Sequence, residues 1–344
     1  MSLYSEIQEQ PDSLRRLLQT QKTAVESIAA AMSSGDVRFV YVAARGTSEN
    51  AARYANYLWG MSNGLPVALA APSMFTYYQR PPCLRGGFVV GISQSGRSPD
   101  IVSVLAEAKR QGCRTLAITN AIQSPLADTA DFVLDIQAGE EYSVAATKTY
   151  SSELMAVAMI SAAMTRDDSR WQELFAIPKT VHLALSEEEE VEQSAQNHRA
   201  MCGCVVLGRG FSYATAYEWA LKLKEVAHVE AQAYSSADFL HGPIAMVDGN
   251  SPVLAVISGG AVYSSMIEVL EKLRKRSPKM IVLSDEGGAR SLAQTALRFP
   301  AGVPEWLSPL VSIIPSQLFS YHLALAKGID PASPRGIHKI TETI

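Results

Sequence analysis

Short apolar runs alternate with longer amphipathic stretches along most of this chain. Residues 39–43 and 87–92 are apolar runs, and the helical stretches 48–58 and 100–111 follow them. Fully apolar runs of five or six residues, separated by helices, are typical of parallel strands that are covered on both faces. The sequence therefore predicts an α/β fold with a parallel sheet.

A second series of the same kind begins near residue 204 and resembles a copy of the first. Residues 40–48 align with 204–212 at a shift of 164 positions, and residues 89–93 align with 254–258 at a shift of 165. Self-similarity at a fixed spacing indicates a duplicated unit. We therefore expect two tandem doubly wound parallel-sheet domains of flavodoxin-like form, with helices on both faces.

The same patterns predict the domain boundaries. Apolar residues at helical spacing favour an N-terminal helical segment at 1–35, and a charged stretch with four consecutive glutamates favours a connecting helix at 166–198. The first domain then covers residues 36–165 and the second covers 199–335, which leaves a C-terminal tail at 336–344.

Composition and charge exclude several classes of protein. With 344 residues, 47% of them hydrophobic, and a net charge of −4, the chain can form a sizeable core and has no excess of positive charge for nucleic acid. Its four cysteines are too few and too irregularly spaced for a disulfide framework. The N-terminus lacks the features of a signal peptide, and the longest apolar stretch, at 154–164, is too short to span a bilayer. We therefore expect a soluble, cytoplasmic protein without a nucleic-acid or membrane partner.

A serine-rich turn follows the predicted strand at 87–92 and opens the next helix. Its polar side chains are Ser93, Gln94, Ser95 and Ser98. At the carboxyl end of a parallel strand, hydroxyl groups and the backbone N–H groups of a helix N-terminus form a binding site for an anion. The turn has neither the Walker A nor the dinucleotide glycine pattern, which favours a small phosphorylated metabolite over a nucleotide. The alternative is an ordinary polar turn in which Ser98 caps the helix.

The corresponding turn of the second series has a different composition. Residues 258–263 read Ser-Gly-Gly-Ala-Val-Tyr, so most of the hydrogen-bonding side chains are lost. We therefore expect one phosphate site per chain, in the first domain.

Four further stretches contain candidate chemistry but are ambiguous when each is taken alone. Lys222 and Glu225 are three residues apart and share one helix face, which also fits a surface ion pair. His241 lies in a predicted loop and Lys339 lies near the C-terminus, where such residues are more often incidental. Residues 139–148 form a polar loop before a helix, which also fits a simple capped turn.

Together these motifs resemble the sugar isomerase (SIS) family. The resemblance runs nearly from end to end, in particular to the isomerase half of glucosamine-6-phosphate synthase, and within the family most of all to the stand-alone glucosamine-6-phosphate deaminases. It rests on five stretches in order along the chain, at 93–100, 138–149, 207–226, 239–243 and 339–341. One such motif is weakly specific, whereas five in order outweigh the alternatives given for each alone.

The resemblance implies that the first domain binds a sugar phosphate. The serine-rich turn would hold the phosphate through Ser93, Gln94, Ser95 and Ser98. Ser48 would lie near the hydroxyl groups of the sugar chain, and Val144 would contact the substrate. The synthase pattern has a serine where this chain has Ala146, so we do not expect the substrate to be handled identically.

The resemblance also implies the catalytic residues. Glu225 matches the base that moves a proton between C1 and C2 of the open-chain sugar, and Lys222 matches a lysine beside that base. His241 matches a histidine that assists ring opening across a dimer interface, so we expect a homodimer with its site at the subunit interface. Lys339 matches the lysine that engages the ketose carbonyl. Such a proton transfer needs a carboxylate and a nearby cation, and we expect no metal and no cofactor.

These roles imply a phosphosugar-processing enzyme, for which we expect glucosamine-6-phosphate deaminase activity. The synthase takes ammonia from an N-terminal glutaminase domain with a cysteine nucleophile, whereas this sequence begins Met-Ser-Leu, so glutamine-dependent synthesis is not expected. An aldose–ketose phosphosugar isomerase and a fructosamine-6-phosphate deglycase are the alternatives within the same chemistry. A non-enzymatic phosphosugar sensor is the alternative from another class, although a sensor has no need for Glu225, His241 and Lys339 together.

Overall fold

The computed structural model of the chain describes residues 2–276, 278–332, 334–336 and 339. These residues divide into two compact units. The first unit contains residues 9–178 together with Lys339, and the second unit contains the residues up to 8 and residues 179–336. The chain therefore starts in the second unit, forms the first unit and returns to the second, and Lys339 belongs to the first unit again.

The helices of the described residues are numbered here in chain order. The helices up to residue 165 are α1 (Leu3–Gln8), α2 (Gln10–Thr20), α3 (Lys22–Met32), α4 (Thr47–Asn63), α5 (Ser73–Thr76), α6 (Pro99–Arg110), α7 (Pro125–Thr129) and α8 (Lys148–Thr165). The later helices are α9 (Asp168–Leu185), α10 (Glu188–Asn197), α11 (Ser212–Ala227), α12 (Ser236–Leu240), α13 (Tyr263–Arg274), α14 (Gly287–Arg290) and α15 (Ser308–Ala326). Two short 3-10 helices are formed by Pro243–Met246 and Glu305–Leu307.

The first unit is built on a five-stranded parallel sheet. Its strands are β1 (Phe39–Ala43), β2 (Val67–Leu69), β3 (Gly87–Ile92), β4 (Arg114–Thr119) and β5 (Phe132–Asp135). They pair in the order β2-β1-β3-β4-β5, with Val42 of β1 opposite both Leu69 and Val90. All six residues of the central strand β3 are buried, as is typical of a strand covered on both faces.

The second unit repeats this topology strand for strand. Its strands are β6 (Gly203–Gly208), β7 (Glu230–Ser235), β8 (Pro252–Ile257), β9 (Lys279–Ser284) and β10 (Thr295–Arg298). They are also parallel and pair in the order β7-β6-β8-β9-β10. Because the two orders are equivalent and the strands match at nearly the shift seen in the sequence, the predicted pair of tandem doubly wound α/β domains is confirmed.

One long apolar helix lies against each sheet and supports the helix that follows its first strand. In the first unit α8 packs on α4, where the Trp59 indole nitrogen donates to the Val157 carbonyl at 3.1 Å. In the second unit α15 packs on α11, where the rings of Trp219 and Phe319 meet edge to face. Both helices are buried over almost their whole length, as expected of core helices that are apolar on every side. Within the described chain, no helix combines the length and the apolar character needed to cross a membrane.

Two stretches differ from what periodicity predicts. Residues 166–198 contain two helices, α9 and α10, rather than one connecting helix. Apolar spacing predicts the last helix only from residue 316, whereas α15 begins at Ser308. Pro309 lies in its first turn, where a missing N–H costs nothing, and the helix continues through Pro315.

Candidate active site

The serine-rich turn connects β3 to α6 and is held by its own side chains. The Ser93 hydroxyl, almost fully buried, accepts a hydrogen bond from the Gly96 N–H at 3.2 Å, and the Ser95 hydroxyl accepts one from the Arg97 N–H at 3.4 Å. Gly96 has a left-handed φ of +61°, and a Cβ there would collide with the Ser124 hydroxyl. Glycine is therefore required at the centre of this turn.

Backbone hydrogen bonds fix the turn to the neighbouring strand. The Gln94 carbonyl accepts from the Asn120 N–H at 3.2 Å, just beyond the end of β4. Ser98 occupies the N-cap position of α6, and its carbonyl accepts from the Ile101 and Val102 N–H groups at 3.1 Å. Among the described contacts its hydroxyl makes no capping bond. The capping interpretation of this serine therefore lacks the bond on which it depends.

The charges around the turn suit an anion. The turn opens onto the N-terminus of α6, where the helix dipole favours negative charge. The buried carboxylate of Asp100 lies in the first turn of that helix and would oppose an anion, but the Arg45 Nε donates to it at 2.7 Å. Arg45 thus offsets the charge of Asp100 and connects the β1–α4 turn to the helix that follows the serine-rich turn.

Ser48, which the family resemblance implies to lie near the sugar hydroxyls, is in the first turn of α4. Its hydroxyl donates to Glu153 Oε1 at 2.8 Å, and both residues are buried. Glu153 lies within α8 and was not identified as a site residue from the sequence. The signal that could have revealed it is a single acidic residue inside an otherwise uncharged helical run at residues 149–165.

The loop between β5 and α8 is organised by one buried carboxylate. Glu141 accepts hydrogen bonds from the Thr147 N–H at 2.9 Å, from the Thr149 N–H at 3.1 Å and from the Thr149 hydroxyl at 2.7 Å. Lys339 donates to the same carboxylate at 2.7 Å. Burial alone would raise the pKa of Glu141, but the Lys339 charge and these hydrogen bonds hold it below its usual range. The structure therefore ties the predicted lysine to the loop that carries Val144, which is half-buried.

The second unit contains the predicted base in a buried group of charges on α11. Lys222 Nζ lies 2.5 Å from Glu225 Oε2 and 3.3 Å from Glu218 Oε1. Lys222 and Glu218 are buried, and Glu225 is partly exposed. Burial opposes the charge on Lys222, but the two carboxylates raise its pKa, so the lysine stays protonated. The surface ion-pair interpretation of Lys222 is therefore wrong, because this lysine is inside the protein.

His241 follows the short helix α12 in the same unit. It is exposed at the C-cap of that helix, and its N–H donates to the Asp238 carbonyl at 3.1 Å. Gly242 comes next with a φ of +147°, and a 3-10 helix begins at Pro243. The loop predicted here is thus a compact pair of short helices with the histidine at their junction.

The turn of the second unit that corresponds to the serine-rich turn already binds carboxylates of the chain itself. The Gly259 N–H donates to Asp285 at 2.9 Å, and the Ala261 N–H donates to Glu305 at 2.8 Å. Carboxylates at these two positions repel an anion. The two turns therefore differ in chemistry as well as in sequence.

The described residues contain no group of three or more histidine, cysteine, aspartate or glutamate side chains suited to a metal ion. His338 and the residues from 340 onward, which belong to the predicted C-terminal tail, lie outside the described residues.

Comparison with known proteins gives the same family for both units. Residues 36–163 and residues 204–327 each match the SIS domain. The glutamine–fructose-6-phosphate aminotransferase (isomerizing) of Thermococcus kodakarensis is 31% identical over 347 residues, which cover 98% of this chain and 57% of that protein. The chain thus spans a little over half the length of this curated relative.

Solved structures of similar size also match. A candidate phosphosugar isomerase from Silicibacter pomeroyi DSS-3 is 33% identical, with a TM-score of 0.85 over 96% of this chain and 99% of that one. Glucosamine-6-phosphate deaminase from Thermotoga maritima has a TM-score of 0.79 over the whole of both chains, and its 20% identity shows a common fold. Because both halves match the family's domain and the matches extend over nearly the entire chain, this protein belongs to the SIS domain family.

Proposed function

We propose that this chain is a phosphosugar-processing enzyme and that it deaminates glucosamine 6-phosphate. The observation that carries the proposal is the buried, protonated Lys222, held 2.5 Å from the Glu225 carboxylate. An ammonium group that is fixed beside a carboxylate in the protein interior is costly to build and is typical of a site for proton transfer. The relative from Thermococcus kodakarensis is named as an isomerizing glutamine–fructose-6-phosphate aminotransferase, and the Thermotoga maritima protein, which shares the fold, is named as a glucosamine-6-phosphate deaminase.

The proposed reaction begins with binding and ring opening. The serine-rich turn holds the phosphate of the substrate, which orients a sugar whose reacting carbons lie at the other end. His241 assists opening of the ring, and this gives an aldehyde at C1. Ser48 contacts the sugar chain, and Val144 also contacts the substrate.

Proton transfer follows from the open chain. Glu225 removes the proton from C2 and returns it to C1, while a second proton passes from the amine to the C1 oxygen, which converts the amino aldehyde into the imine of a ketose. The charge of Lys222 beside it, and Lys339 at the carbonyl end, stabilise the negative charge that develops on the sugar. Water then adds to the imine carbon, so that the products are fructose 6-phosphate and ammonia.

The activity is tested by measuring ammonia and fructose 6-phosphate from glucosamine 6-phosphate. Wild type should release the two products in equal amounts, and Glu225→Gln should lower kcat by about 10²- to 10⁴-fold, as expected for loss of a general base. Glu271→Gln, which removes an exposed carboxylate on α13 in the same unit, is the matched control and should retain full activity. If wild type releases no ammonia, the deaminase proposal is wrong.

An aldose–ketose phosphosugar isomerase is the second candidate, favoured by the 33% identity to the Silicibacter pomeroyi protein. It needs the same base and phosphate site but no amine on the substrate. Interconversion of fructose 6-phosphate and glucose 6-phosphate without ammonia release would select it. Release of an amine and glucose 6-phosphate from a fructosamine 6-phosphate would select a deglycase. Binding without turnover of any of these phosphosugars would select a sensor.

We also propose that the enzyme acts as a homodimer to which His241 contributes across the interface. Mixed dimers of inactive His241→Asn and inactive Glu225→Gln chains would contain one site with both intact residues. Denaturing the two variants together and refolding them should therefore restore a measurable part of the wild-type activity, whereas refolding either variant alone should not. No recovery in mixtures that are shown to contain mixed dimers would exclude a shared site.

A further inference from the structure

A buried carboxylate in the first unit is bonded to a proposed ligand-binding serine. Glu153 lies inside α8, 1% exposed, between residues that are also fully buried. Its Oε1 accepts the hydrogen bond from Ser48 at 2.8 Å. Removing a carboxylate from water into the protein interior is unfavourable unless hydrogen bonds compensate for the loss, and the Ser48 hydroxyl supplies one of these bonds. A buried carboxylate is weak evidence for stability, so its bond to this serine directs attention to function.

The second unit shows that the fold does not need this carboxylate. Ser212 matches Ser48 at the shift of 164, and α15 packs on α11 as α8 packs on α4. From Ser308 to Ala326, however, α15 contains no acidic residue. The Ser212 hydroxyl shares its hydrogen bond with the Ser258 hydroxyl at 3.1 Å instead. The carboxylate therefore occurs in the repeat that has the serine-rich turn, and not in the repeat whose turn is closed by Asp285 and Glu305.

The chemistry of the pair limits what Ser48 can offer to a ligand. A serine hydroxyl has one proton and two lone pairs, whereas an ionised carboxylate can only accept. With its proton directed to Glu153, Ser48 presents lone pairs alone. It cannot donate to a phosphate oxygen, which is also only an acceptor, but it can accept from a hydroxyl or amine of the ligand.

We propose that Glu153 is a positioning residue that makes Ser48 a hydrogen-bond acceptor, and that the pair selects ligands with a donor group on the carbon chain in addition to the phosphate. This inference rests on the proposed function, since it concerns the same binding site. It assigns the two ends of the ligand to different groups. The serine-rich turn binds the phosphate, and the Ser48–Glu153 pair binds a hydroxyl or amine donor on the carbon chain.

The test compares two ligands by calorimetry. Inorganic phosphate probes the turn alone, and sorbitol 6-phosphate, which has no carbonyl and is not turned over, probes the turn and the polyol site together. Ser48→Ala and Glu153→Leu should each raise the Kd of sorbitol 6-phosphate about five- to tenfold, as for loss of one hydrogen bond, and change the Kd of phosphate less than about twofold. The double variant should match the single ones, because Glu153 acts through Ser48.

Stability separates this role from a merely structural one. In the double variant both partners of this bond become apolar, so its melting temperature should exceed that of Ser48→Ala, which leaves the buried carboxylate without this donor, while sorbitol 6-phosphate binding stays weak in both. Ser161→Ala is the matched control. It breaks the bond between the Ser161 hydroxyl and Asn63 Oδ1, which joins the same two helices at 2.8 Å, and it should leave both Kd values unchanged.

Each other outcome has a definite meaning. Wild type that binds neither ligand refutes the proposed function and this inference with it. If wild type binds both ligands, three results would refute this inference alone. Glu153→Leu leaves both Kd values unchanged, Glu153→Leu weakens phosphate binding as much as sorbitol 6-phosphate binding, or the effects of Ser48→Ala and Glu153→Leu on the Kd multiply in the double variant. Should Glu153→Leu fail to fold, the isosteric Glu153→Gln replaces it with the same expected direction. Ser48→Ala alone overturns the inference if it weakens phosphate binding as much as sorbitol 6-phosphate binding.

Discussion

Replacing Lys222 by methionine would show how much of the second unit's stability depends on the charges of α11. Methionine keeps the length and apolar stem of the side chain and removes the ammonium group. The carboxylate of Glu218, whose side chain is 0% exposed, would then lose the cation 3.3 Å away that compensates its charge. Glu225 would lose the same partner, but it can turn towards water because it is partly exposed.

The size of the effect follows from the burial of Glu218. Removing one partner of a buried ion pair typically costs about 3–5 kcal/mol, because the other charge remains in the interior. For a unit of this size, each kcal/mol lowers the melting temperature by about 2–4 °C, so the expected decrease is about 6–20 °C. The raised pKa of Lys222 means that its stabilisation is fully present below its ordinary value of 10.5 and is lost as the pH rises through the folded-state value, so an assay at pH 7 measures all of it.

The assay is thermal unfolding followed by circular dichroism at pH 7, with two companion variants. Lys224→Met makes the same chemical change at an exposed position two residues away, and surface changes of this kind stay within about 0.5 kcal/mol of wild type. Adding Glu218→Gln to Lys222→Met should recover part of the loss, because a neutral amide is less costly to bury than a carboxylate. If Lys222→Met and Lys224→Met melted within about 2 °C of each other, the ion pair would not have the value assigned to it here.

Two further changes probe the first unit. Glu141→Gln should lower stability at pH 7 by about 1–3 kcal/mol, the range for hydrogen bonds to a charged group. Because the folded-state pKa of Glu141 is lowered, its stabilisation is present above the ordinary value of 4.5 and is lost as the pH falls through the folded-state value. The melting temperature should therefore decrease less between pH 7 and pH 3 in the variant than in wild type. Equal decreases would show that the contact with Lys339 contributes nothing. Gly96→Ala should weaken phosphate binding in calorimetry, because it introduces backbone strain and a collision with Ser124. Gly112→Ala is the control: with a φ of +79° and nothing within 4 Å of the added carbon, it should lower the stability of the protein without changing its affinity for phosphate. Equal phosphate binding in both variants would show that the turn tolerates a side chain.

Sequence patterns were sufficient for the central elements of the fold. The strand β3 was predicted with its observed bounds, because an apolar run of six residues that is followed by a polar turn is typical of a buried parallel strand and is too short for most helices. The edge strand β2 is only three residues long and was not predicted, since its pairing with β1 rather than its composition makes it a strand. The internal repeat was visible because the duplicated strands and helices kept nearly one spacing.

The candidate site likewise has a part that sequence spacing predicts and a part that it does not. The residues of the serine-rich turn, like Lys222 and Glu225, are close together along the chain, so their spacing predicts that their side chains lie close together in space. Glu153 and Ser48 are 105 positions apart, and Glu141 and Lys339 are 198 positions apart. No periodicity links residues at such distances, and their partners are determined only when the units fold.

The path of the chain between the two units restricts how the protein can be dissected. The sequence consists of two consecutive repeats, but a cut after residue 178 would separate α1 from the unit in which it packs. The Tyr4 hydroxyl and the Gln8 amide donate to Glu188 at 2.9 and 3.1 Å. The same cut would take Lys339 away from the carboxylate it binds. Separate expression of the halves would thus yield two incomplete pieces, each carrying a part of the other. A faithful single repeat would require a rearranged gene, with these terminal segments moved to the fragment in which they pack.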